Sequence, residues 1–131
     1  MKIRIKSALI AALAAALAGG ALVVQVKADD ANDAIIKEVM KTYHKAPKGV
    51  DPVCKKAIGG QATAEELKKL VAGYKSLTTT KPPKGDEASW KEKTEKLYEA
   101  AQALEKGEAD GVARYKKAVD CKSCHTAHKP D

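Results

Sequence analysis

The chain has 131 residues, 24 basic and 17 acidic side chains, a net charge of +7, four tyrosines, one tryptophan and no phenylalanine. That length holds one domain. If Lys2, Arg4, Lys6 and Lys27 leave with a cleaved leader, the charge falls to +3. Arg114 is then the one arginine left, and a nucleic-acid surface is not expected.

The N-terminus runs from the basic stretch Met1–Lys6 through the apolar run Ser7–Val24 to the small-residue site Val26-Lys27-Ala28. This is the pattern of a secretory signal peptide over residues 1–28. Cleavage after Ala28 leaves residues 29–131 as one exported, periplasmic domain. An uncleaved leader would instead serve as a membrane anchor, because its apolar run nearly spans a bilayer.

Ile35, Ile36, Val39, Met40 and Tyr43 recur at three- and four-residue spacing, which predicts a helix from Asp33 to about His44. Ala46-Pro47-Lys48-Gly49 ends it. Asp51-Pro52 reads as an N-cap and a first-turn proline opening a short segment that Gly59-Gly60 closes. Thr63-Ala64-Glu65-Glu66 is a capping box, followed by Leu67, Leu70, Val71, Tyr74 and Leu77 on one face.

After the polar connection Thr78–Asp86, a third helix is predicted from Glu87 to Lys106, with Trp90, Leu97, Ala101 and Leu104 inward and Gly107 past its end. A fourth, from about Asp110, carries Val112, Tyr115 and Val119 toward the C-terminus. Four helices and short loops predict an all-α, antiparallel four-helix bundle. Its aliphatic content is largely alanine, so the core is small for a domain of this size. A large apolar cofactor in the bundle would supply the missing volume.

The last helix ends in Cys121-Lys122-Ser123-Cys124-His125. A redox dithiol of the thioredoxin type needs a preceding strand, and none is predicted. A zinc site needs four ligands, and Cys54 with a histidine lacks the spacing of a second pair. A disulfide across two residues closes a loop too small for much entropic gain. Covalent haem uses all three residues: Cys121 and Cys124 add to the haem vinyl groups and His125 places an imidazole under the iron. The export leader would deliver the chain to the compartment where such attachment occurs.

This arrangement resembles the class II cytochromes c, meaning cytochrome c prime and its low-spin relatives. The resemblance rests on the motif in the last helix and on Met40-Lys41 in the first. In that family the motif continues His-x-x-aromatic-Arg, where this chain has His128 and Lys129, and Ile36 stands where an arginine is common. The resemblance implies one covalent haem c in a four-helix bundle, with Met40 over the distal face. Low-spin members use methionine there, and five-coordinate members leave the position open.

Met40 is the one methionine beyond the leader, and His44, one turn on, competes with it as sixth ligand. His128 is expected at the surface or the haem edge, Cys54 as a small buried residue, and the tyrosines in the core. The expected function is that of an exported monohaem carrier of single electrons between redox partner proteins, monomeric or homodimeric, and not an enzyme. A five-coordinate binder of nitric oxide or carbon monoxide is the alternative. A haem-free module using Cys54, Cys121, Cys124 and histidines is a further one.

Overall fold

Six helices and no strand make up the regular structure of residues 28–131, the part of the chain that the computed structural model describes. The leader expected over residues 1–28 lies outside the described residues apart from Ala28. No helix among them is long and apolar enough to cross a membrane.

Helix α1 spans Ala28–Tyr43 and starts earlier than the apolar periodicity predicts. Asp29 and Asp30 occupy its first turn, where carboxylates offset the positive end of the helix. The short α2 is Val53–Ile58. Pro52 is its N-cap rather than a first-turn residue, and Asp51 meets Lys55 Nζ at 2.7 Å instead of capping. Helix α3, Ala64–Leu77, has the predicted capping box. The Glu66 amide donates to Thr63 Oγ1 at 3.1 Å, and the Thr63 amide to Glu66 Oε2 at 2.9 Å.

Helix α4 is Glu87–Glu105, opened by the Asp86 carboxylate, which accepts from the Ser89 amide at 2.6 Å. It ends in a Schellman turn, with the Glu108 amide on the Ala103 carbonyl and Gly107 at φ +70.

The predicted fourth helix is two helices, α5 at Gly111–Ala118 and α6 at Cys121–His128. Val119 and Asp120 leave helical geometry at ψ 57 and ψ 85. The Asp120 carboxylate then accepts from the Ser123 amide at 2.9 Å and starts a new helix. The break lets the motif take its own direction rather than continue the axis of α5.

Helix α4 packs against α3 and α5, α1 lies on α3, and α6 rests chiefly on α4. The core joins Val39, Ala57, Leu70, Tyr74, Leu77, Ala100, Ala101 and Tyr115. Full burial of Leu70 and Leu77 contributes about 2 kcal/mol each. Gly73 admits α1 to close range, because a Cβ there would collide with the Tyr43 ring. The described chain is thus all-helical and compatible with a helical bundle.

Candidate functional site

Helices distant in sequence converge on one cleft of about 1290 Å³. Met40 and His44 reach it from the end of α1, Cys54 from α2, Leu97 and Ala100 from α4, and Cys121, Cys124 and His125 from α6. All five residues nominated for haem or iron (Cys121, Cys124, His125, Met40 and His44) therefore line a single space.

Local helical geometry explains this convergence. Positions i, i+3 and i+4 share a helix side, which groups Cys121, Cys124 and His125 on α6. Met40 precedes His44 by one turn, and the His44 amide closes the helix on the Met40 carbonyl at 3.2 Å.

Cys121, Cys124 and Cys54 are all free thiols. Cys121 is exposed, with Sγ 3.9 Å from the Val119 carbonyl. Burial pushes the Cys124 thiol up, opposed by the charge of Lys93. Lys93 Nζ also donates to Ser123 Oγ at 2.8 Å, tying α4 to α6 beside the motif. Cys54 is half-buried on the cleft wall rather than sealed in the core. Burial raises its thiol pKa, and nearby Cys121 adds to the rise.

His44 is the more constrained of the two distal candidates. Its Nε2 lies 3.1 Å from the Tyr74 hydroxyl, which lies 2.7 Å from the Tyr115 hydroxyl. Burial, then the charge of His125, lowers its pKa from 6.5 to about 4, so the imidazole is neutral near pH 7. Among the described residues, Nδ1 has no hydrogen-bond partner. Met40 is half-buried, without a comparable lock.

His128 departs from expectation. It is 2 % exposed rather than superficial, and both ring nitrogens have partners. Sequence separations of 39 and 44 residues to those partners made this burial illegible in the motif. The Tyr115–Tyr74–His44 chain was hidden for the same reason.

A cleft of this size exceeds the roughly 300–1,000 Å³ of ordinary small-molecule sites. Leu77, Trp90, Leu97 and Ala100 give it apolar walls, while three thiols, three imidazoles and the Met40 thioether also line it. Those features fit a large, mostly apolar group bound through sulfur and nitrogen. Among the described residues, no group of three or more His, Cys, Asp or Glu gathers as a bare metal-ion site. The chain matches no family model, no curated protein and no solved structure.

Proposed function

We propose that this chain is an exported monohaem c-type cytochrome that carries single electrons, an antiparallel four-helix bundle in which α1, α3, α4 and the broken α5–α6 segment surround the haem. The observation that carries this reading is the arrival of Cys121, Cys124 and His125 in the same apolar cleft as Met40 and His44. In this reading Cys121 and Cys124 hold haem c covalently, His125 supplies the proximal imidazole and Met40 the distal thioether.

When bound, haem supplies a one-electron couple at its iron, whose potential follows the axial ligands and burial. The chain's part is to fix those ligands and to limit water. Leu97, Ala100 and Trp90 keep the cleft wall apolar, and Lys93 steadies the motif through Ser123. Lys37 and Lys41 on α1, Lys45 just past its end and Lys117 on α5 stand along the cleft. Their charge supports docking of redox partner proteins with acidic faces.

A second reading has His44 as the distal ligand. The hydrogen bond at Nε2 and the place of His44 on the cleft wall favour it, since ligating imidazoles generally bond through their other nitrogen. Absorption spectra of the oxidised and reduced protein, with and without carbon monoxide, distinguish these readings. A low-spin iron that turns high-spin in Met40→Ala and not in His44→Ala supports the thioether. The opposite pattern assigns His44. A wild-type protein already high-spin and open to carbon monoxide would make it a gas binder. Absence of a haemochrome from protein matured in a competent host would overturn the haem reading and leave the Cys/His metal module.

A further inference from the structure

Helix α6 has eight residues, too few to hold an orientation by its own hydrogen bonds. Cys121, Lys122, His125 and Thr126 are exposed, and His128 is its one buried side chain. Besides the Lys93–Ser123 bond at its start, the placement of the motif therefore depends on what His128 grips.

It grips three things. The Lys84 carbonyl, which only accepts, lies 3.0 Å from Nδ1, so Nδ1 carries the proton. Nε2 is hydrogen-bonded to the Ser89 hydroxyl at 3.2 Å. The ring meets Trp90 edge-on, with centroids 5.3 Å apart and planes at 79°. Trp90 is itself fixed, as Nε1 donates to the Thr80 carbonyl at 3.0 Å. Gly85, at φ +84, lets this loop pass so close to the Ala127 carbonyl that a Cβ would not fit.

We propose that His128 is a positioning residue: it pins α6 to the Lys84–Trp90 segment and so sets the bearing from which His125, three residues earlier, enters the cleft. The consequence for iron ligation rests on the haem reading above, whereas the anchor itself does not.

The test is hydrogen exchange by mass spectrometry on the full chain, with a probe of the His125 ring. His128→Ala should speed exchange over residues 121–128 by about tenfold and leave α3 protected. His128→Asn, which can still donate to the Lys84 carbonyl, should return to within about threefold of wild type. Ser89→Ala, a milder change, should move α6 in the same direction by about threefold. In haem-loaded protein the iron–imidazole vibrational band should broaden or shift in His128→Ala and recover in His128→Asn. Unchanged α6 exchange in His128→Ala, or an equal rise in α3, would overturn the anchor. A loosened α6 with an unmoved His125 signature would overturn its role in aiming the imidazole. If the protein carries no haem, the same variants are read through the His125 ring-proton shifts. A negative haemochrome then counts against the haem reading alone.

Discussion

The Tyr74 hydroxyl stands 3.1 Å from Nε2 of His44, joining the buried side of α3 to the end of α1 that faces the cleft. Tyr115 extends the chain at 2.7 Å, and both tyrosines are fully buried. Burial drives both phenol pKa values up, so neither ionises near neutral pH. Only if His44 donates from Nε2 to the Tyr74 oxygen does the neutral ring keep a lone pair on Nδ1 for a metal.

Tyr74→Phe removes both links and leaves the Tyr115 hydroxyl buried without this partner. It should cost about 1–3 kcal/mol in urea unfolding. Adding Tyr115→Phe should cost less than the sum of the single changes, because the stranded hydroxyl is gone. Additive losses would mean that the two hydroxyls do not act together.

His44 also makes stability depend on pH. Its folded pKa of about 4 lies below the ordinary 6.5, so between these values the unfolded chain binds more protons. Its contribution is whole above pH 6.5 and is lost as pH falls toward 4. The ceiling on that loss is about 3 kcal/mol. Unfolding of wild type and His44→Gln at pH 7.5 and pH 4.5, conditions chosen to bracket most of this window, should show a smaller pH difference in the variant. The carboxylates Glu65, Glu66 and Glu92, whose lysine partners hold them below their usual range, lose their contributions at lower pH.

Two left-handed glycines separate backbone strain from collision. Gly107, at φ +70, has open space where a Cβ would go, whereas Gly85, at φ +84, faces the Ala127 carbonyl. Gly107→Ala should cost about 1 kcal/mol of stability, from conformation alone. Gly85→Ala should cost more and loosen α6. Equal losses in thermal unfolding would show that the loop gives way freely.

The lysines along the cleft predict salt-sensitive encounter. Electron exchange with an acidic redox protein should slow by about tenfold as ionic strength rises from low values toward 0.1 M, where the Debye length is about 10 Å. Lys41→Glu with Lys45→Glu should flatten that dependence. A rate indifferent to salt would place the contact elsewhere.

Helix caps and periodicity made the α3 start and the α4 end legible, because their determinants lie within a few residues of one another. The α5–α6 break was written at Asp120 and Ser123 but masked by the continuing apolar positions Tyr115 and Val119. The Cys121-Lys122-Ser123-Cys124-His125 motif was legible for the same local reason. Met40 and His44 were expected opposite the motif from the family resemblance and line its cleft, whereas Cys54 on the wall and His128 in its grip followed only from folding. Their partners lie tens of residues away, and spacing alone carries no signal of such contacts.

The central claim is a haem held covalently by Cys121 and Cys124. Intact mass under denaturing conditions, on protein matured in a host competent for cytochrome c, tests it most directly. The account predicts the mass of residues 29–131 plus one haem, and loss of that haem in Cys121→Ala with Cys124→Ala. A haem-free chain mass from such a host would contradict it.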